Sequence, residues 1–170
     1  MRLSTTERLI FINQYRILSK LEGSGYETEI KILECGFESE IDHLFSSIDA
    51  EGFSKEGCSE VIEILAMYDH FQTSLREVKD KGGSTDWEIK FRGFDEATEG
   101  KHWVYALHLV RDQQRFLTKV DDLKGYQPML SVYREMVSLW KEARASLHIG
   151  NVNLSPDQIR TIIKPVSRSH

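Results

Sequence analysis

The stretch WEIKFRGFDEATEGKHWVYALHLVRDQQRF, from Trp87 to Phe116, constrains the fold more than any other, because a short alternating run passes into a helix signal with two apolar sides. Alternation at Trp87, Ile89 and Phe91 predicts a brief extended segment near 87–91. One isolated segment does not make a sheet. Asp95 is placed to cap a helix of about 24 residues, with Glu96 and Glu99 in the first turn, where carboxylates suit the positive end of the helix dipole. Trp103, Leu107, Val110 and Leu117 mark one face of that helix, while Tyr105, Leu109 and Phe116 lie roughly 200° around the axis. A helix apolar on both sides is either central to its own bundle or covered by a second subunit. Tyr105, Leu109 and Phe116 are therefore the expected self-association residues.

Helix signals dominate the rest of the chain. Ser4 with Glu7 forms a capping-box pattern ahead of two neighbouring apolar stripes, Ile10, Ile17, Leu21 and Phe11, Tyr15, Leu18, which predict a broad buried face. Gly23 and Gly25 break that helix, a short one follows over 27–34, and Gly36 is placed to end it in the left-handed conformation. A third short helix carries Ile41, Leu44, Phe45 and Ile48. Ser54 caps the strongest pattern, in which Cys58, Val61, Ile62, Leu65, Tyr68, Phe71, Leu75 and Val78 recur at three- and four-residue steps. The run KDKGGSTD reads as a surface loop. Pro128 suits the first turn of a helix carrying Met129, Tyr133, Met136 and Trp140. Leu154 to Ile159 combines staple, serine cap, first-turn proline and capping-box glutamine, which predicts a last short helix through Ile162 and Ile163. The expected architecture is all-α, a single-domain bundle of about seven helices over 1–163, with 164–170 a frayed tail.

Three segments together resemble the YfbU family of bacterial helical proteins: the opening STTERLIFINQYRILSKL, the central FRGFDEATEG followed by an aromatic-rich helix, and the closing NLSPDQIRTII. The resemblance implies an all-helical cytoplasmic domain of poorly defined function that self-associates. In some proteins similar domains sit beside a DNA-binding segment, which implies a sensory or ligand-binding role. Within these 170 residues no separate DNA-binding segment is expected. The family supplies no catalytic residues to carry over.

Composition narrows the function classes. At 40% hydrophobic and 29% charged residues with three prolines, the chain reads as a soluble globular protein, and no apolar run approaches the ~20 residues a membrane span needs. The start MRLSTTERLI lacks a signal peptide's apolar core, so a cytoplasmic location is expected. Cys35 and Cys58 lie in apolar helical patterns without metal spacing and read as inert buried thiols. A net charge of −5 disfavours nucleic acid as a partner. Residues 27–48 read as helix, turn, helix, but Glu38, Glu40 and Asp42 on the second helix would repel phosphate, and no Lys or Arg occurs from Ile32 to Ser54. That unit is read as a plain αα-corner. Its acidic surface is read as solvated, with a basic protein partner as the alternative.

Two sites remain as candidates. Glu40 with His43, and Glu99 with His102, match the Glu-x-x-His spacing of carboxylate-bridged di-iron bundles. Seventeen Glu and six His give about 0.6 such matches by chance, and both pairs lie where a mid-bundle centre would not. A carboxylate–histidine metalloenzyme is therefore the alternative reading; no metal or other cofactor is expected. The second candidate is a ligand pocket at the junction 91–102, with Arg92 or His102 for an anion, Phe94 and Trp103 as walls, and Asp95 and Glu99 beside them. Phe94 and Asp95 also suit a helix start, as staple and cap. No triad, P-loop or dinucleotide glycine pattern is visible, and no catalytic residue is nominated. The expected function is that of a non-catalytic binding or regulatory module that self-associates and takes a protein or small-molecule ligand.

Overall fold

The computed structural model describes residues 2–23, 25–49, 51–83, 89–147 and 152–167. Its 67% helical content is divided among seven α-helices, with one very small sheet, so the fold is all-α as expected. The chain forms two compact units, Met1–Gly52 and Phe53–His170. Among the described residues no helix is long and apolar enough to cross a membrane.

In the first unit, α1 (Thr5–Glu22) begins at the expected capping box: Ser4 Oγ accepts from Glu7 N at 3.3 Å and the Glu7 carboxylate accepts from Ser4 N at 2.8 Å. Helix α2 (Glu27–Cys35) ends at Gly36, whose φ of 70° is the left-handed cap, and α3 (Glu38–Leu44) follows. Ile12, Leu33 and Ile41 form the small core, with Phe11 and Phe45 rings in contact at 5.0 Å. The broad buried face expected of α1 is corrected. Ile10, Ile17 and Leu21 are exposed, Leu21 to 77%, because α2 and α3 cover only the side that carries Phe11, Ile12 and Tyr15. Ile48 lies beyond the end of α3 and is exposed, and Cys35 is also exposed rather than buried, since it occupies the outer side of the last turn of α2.

The second unit is organised by α4 (Lys55–Asp80), capped by Ser54 Oγ accepting from Gly57 N at 3.0 Å. Its inward side buries Val61, Ile64, Leu65, Met67, Tyr68, Phe71 and Leu75 in one core with side chains of α6 (Leu130–Ala145) and α7 (Pro156–Ser167). A ring cluster fills the centre: Phe91 stacks on Tyr133 at 5.4 Å, and Tyr68 meets Phe91 edge-on at 4.9 Å. Each such pair contributes ~0.5–1.5 kcal/mol beyond the area it buries.

The predicted segment near 87–91 is not a strand over its described residues, and Trp87 lies outside them. The ladder falls further along. Strand β1 (Phe94–Asp95) pairs in parallel with β2 (Lys124–Gly125), and Phe94 N donates to Leu123 O at 2.9 Å. Gly93 makes this approach possible: its φ is 74°, and a Cβ there would lie 2.5 Å from Gly125 N. The 24-residue helix is also shorter than expected. Helix α5 (Gly100–Leu107) widens into a π turn over His108–Asp112 and stops, and Gln114 takes a positive φ of 51°. The five polar residues from Arg111 to Arg115 offer no apolar face to bury, and His108 Nδ1 with Asp112 Oδ2 at 3.1 Å closes the wide turn.

Pro128 stands before α6 rather than inside it, with Met129 at the cap position. The hexapeptide at the start of α7 behaves as read: Gln158 N donates to Ser155 Oγ at 3.2 Å, and Ser155 N donates to Gln158 Oε1 at 2.8 Å. The tail expectation is corrected over 164–167, where α7 continues because Pro165 is buried and Val166 packs on the core.

Candidate functional site

The six residues expected at the ligand junction separate into groove, core and framework. Arg92, from the irregular segment ahead of β1, and Trp103, from α5, line one open groove of about 640 Å3. Phe91 and Leu107 supply its apolar floor; residues 120–127 supply the opposite wall, with Asp121, Lys124 and the almost fully exposed Tyr126. Lys90 reaches Asp122 at 3.5 Å, and Lys124 reaches Glu96 at 2.5 Å; that hydrogen bond holds the Lys124 ammonium above the usual lysine range. The polar rim therefore mixes three cations, Lys90, Arg92 and Lys124, with the carboxylates of Asp121 and Asp122.

Phe94 is fully buried and belongs to the ring cluster, 5.7 Å from Tyr133, so it walls no pocket. Asp95 serves the backbone: its Oδ2 accepts from Thr98 N at 2.9 Å and from Thr98 Oγ1 at 2.6 Å, fixing the turn that leads into α5. The cap belongs to that turn and not to the first residue of the helix, which corrects the expected start.

Glu99 is the buried surprise, only 4% exposed. Its Oε1 accepts from Met129 N and Leu130 N, both at 2.7 Å, while Oε2 accepts from Asp95 N at 3.0 Å. One carboxylate thus caps α6, which has no cap of its own, and ties β1 to its own turn. This accounts for all of its closest partners and leaves it unavailable as a ligand group.

His102 turns away from the groove. Its Nε2 lies 3.0 Å from Glu60 Oε2, and its ring meets Phe53 edge-on at 4.9 Å. Arg134 Nε donates to the other Glu60 oxygen at 2.6 Å; this bond, with that from His102, keeps the Glu60 carboxyl below the usual range despite partial burial. His102, Glu60 and Arg134 form a clamp between α5, α4 and α6.

Of the alternative metal set, Glu40 and His43 are both exposed on α3, while the oxygens of Glu99 hold backbone amides and His102 holds Glu60. Among the described residues no three His, Cys, Asp or Glu side chains come together. Tyr105, Leu109 and Phe116 all pack on the chain's own core, and Leu109 is 1% exposed. The two-sided helix is central to its unit, so this stripe presents no apolar surface at Leu109 to another subunit.

Sequence reasoning missed the far wall of the groove. Residues 120–127, VDDLKGYQ, have no apolar periodicity, and the overlong helix predicted upstream drew attention from them. The signal available was composition, a tyrosine after a glycine turn flanked by Lys124 and Gln127.

The YfbU domain family matches residues 1–164. A UPF0304 protein of Methanocaldococcus jannaschii is 38% identical, over 82% of this chain and 88% of the relative. With the family model spanning nearly the whole chain and a relative of this identity and coverage, the chain belongs to the YfbU family.

Proposed function

We propose that this protein is a non-catalytic binding module that takes a small planar anionic molecule in the groove between Trp103 and Arg92. The observation that carries the reading is their juxtaposition: an indole and a guanidinium, eleven positions apart in sequence, line the same opening over an apolar floor of Phe91 and Leu107. Such sites fix a ligand with a few polar groups against apolar walls. A guanidinium adds a planar fork that suits a carboxylate. The described lining residues include no Ser, Cys or His, so the groove offers cations and carboxylates but no side-chain nucleophile paired with a histidine base.

Salicylate, a planar aromatic carboxylate, is the probe. Tryptophan fluorescence should change saturably on titration, the change should vanish in Trp103→Phe, and affinity should fall roughly tenfold in Arg92→Met through loss of the charged fork. A response that survives in Trp103→Phe with unchanged affinity sinks the groove reading.

A further inference from the structure

We propose a second site, for a phosphate-type anion, where the last turns of α4 meet residues 117–119. A pocket of about 520 Å3 opens there, lined by Arg76, Lys79, Lys90, Thr118, Lys119 and Asp122 among others. Arg76 and Lys79 are three residues apart on α4 and share a side of the helix. Lys119 and Lys90 come from two other segments, so three stretches of an acidic chain bring four cations to one opening with a single carboxylate. Lys90 lies 3.5 Å from that carboxylate, Asp122.

What sets three of these cations apart is the lack of partners among the described residues. Elsewhere in the same unit Lys81 pairs with Glu77, Arg134 with Glu60 and Lys141 with Glu63. Among the described residues Arg76, Lys79 and Lys119 have neither a carboxylate nor a hydrogen-bond acceptor. The negative end of α4 accounts for a lysine in its last turn. It does not account for Lys119, nor for the second observation, which is independent of charge. Thr118 is 5% exposed, and its Oγ1 is buried without a hydrogen-bond partner among the described residues. Folded proteins leave few such groups unpaired, and each one calls for a partner the chain does not supply.

A tetrahedral dianion supplies what is missing at both. Its oxygens accept from ammonium, guanidinium and hydroxyl groups together, and the convergence of cations offsets the loss of its hydration. The backbone is held for it, because Leu117 N donates to both oxygens of Asp69, at 3.0 and 3.2 Å, which anchors the segment carrying Thr118 and Lys119. The chemistry fits free phosphate or the phosphate of a small monoester. It does not rest on the groove reading, although Lys90 and Asp122 line both openings.

The experiment is a calorimetric and thermal-melt titration of the full chain with inorganic phosphate, run beside sodium chloride of equal ionic strength. Phosphate should bind saturably and raise the melting temperature beyond the chloride control. Arg76→Ala and Lys119→Ala, both at exposed positions, should each weaken it about fivefold. Thr118→Val should weaken phosphate binding while leaving the ligand-free protein as stable or more so, since it removes an unpaired hydroxyl; Thr118→Ser, which keeps the hydroxyl, should retain binding. Tighter binding of glycerol 3-phosphate than of inorganic phosphate would assign the site to a monoester, and the reverse to the free ion. A response equalled by chloride, or unchanged in both Arg76→Ala and Lys119→Ala, overturns the proposal. Phosphate binding without any salicylate response would leave this site standing and remove the groove.

Discussion

The indole Nε1–H of Trp140 donates to Nδ1 of His70 at 2.9 Å, and on the other side of the ring Nε2 lies 2.6 Å from Val152 O. An indole only donates and a carbonyl only accepts, so the pair of contacts fixes His70 as the neutral tautomer with its proton on Nε2. A second proton would have to sit on Nδ1, facing the indole hydrogen.

Stability should therefore fall with acidification in a defined window. Burial, and then the Arg144 guanidinium, hold His70 below its ordinary value of 6.5 in the folded chain. A depressed histidine binds protons more readily unfolded, so its contribution is complete above about pH 6.5 and is lost as pH drops through the folded value. Urea melts between pH 7.5 and 5 should show this loss, and Trp140→Phe, which frees Nδ1, should reduce it. An imidazole resonance of His70 titrating at or above 6.5 would contradict the tautomer argument.

Replacing Glu99 with Gln should cost ~2 kcal/mol, because an amide can accept from Met129 N and Leu130 N with its one oxygen but cannot accept from Asp95 N with its nitrogen. Amide hydrogen exchange at Met129 and Leu130 should stay slow in Glu99→Gln and accelerate in Glu99→Ala. Unchanged exchange in Glu99→Ala would mean that the carboxylate does not cap α6.

Tyr133 donates its hydroxyl to Gly93 O at 2.9 Å inside the ring cluster, and burial pushes its pKa far up. Tyr133→Phe should leave the ring packing intact and lower stability by ~1 kcal/mol for the lost bond. Gly93→Ala should be far worse, since the new Cβ would strike the backbone of 123–125 in a conformation that alanine rarely adopts. Denaturant midpoints that fall in the opposite order would refute the account of this close approach.

Leu109→Glu separates core from interface. With Leu109 1% exposed among its own neighbours, an unpaired carboxylate there should destabilise or unfold the chain, by ~3 kcal/mol or more, and not release a soluble monomer. Circular dichroism on the variant checks this. Light scattering on the wild type tests self-association separately, where a mass at least twice 19.7 kDa would support it.

What could be read ahead of the structure was whatever completes itself within one helical turn. Ser4 with Glu7 and Ser155 with Gln158 are closed circuits in sequence, and the long stripe of α4 needs no knowledge of its partners. Glu99 was misleading for the opposite reason. A carboxylate near a helix start reads as a dipole complement, while the amides that it serves lie 30 and 31 residues away. The length of α5 failed because Phe116 and Leu117 fall at helical spacing; both sit past a polar run that gives the helix nothing to bury. Arg92 and Trp103 line one groove, but the wall opposite them is irregular chain, which leaves no period to detect.

The two sources of helix caps have a kinetic consequence. Helices α1, α4 and α7 begin at serines that bond to their own chain three residues on, so their first turns can form in a still-disordered chain on the sub-microsecond scale of helix growth. Helix α6 borrows its cap from a carboxylate that must first be carried across a loop of about 30 residues, and closing that loop costs entropy before the amides are satisfied. Substitutions at Glu99 should then speed unfolding while leaving the folding rate nearly unaltered, whereas weakening Ser54 should slow folding itself.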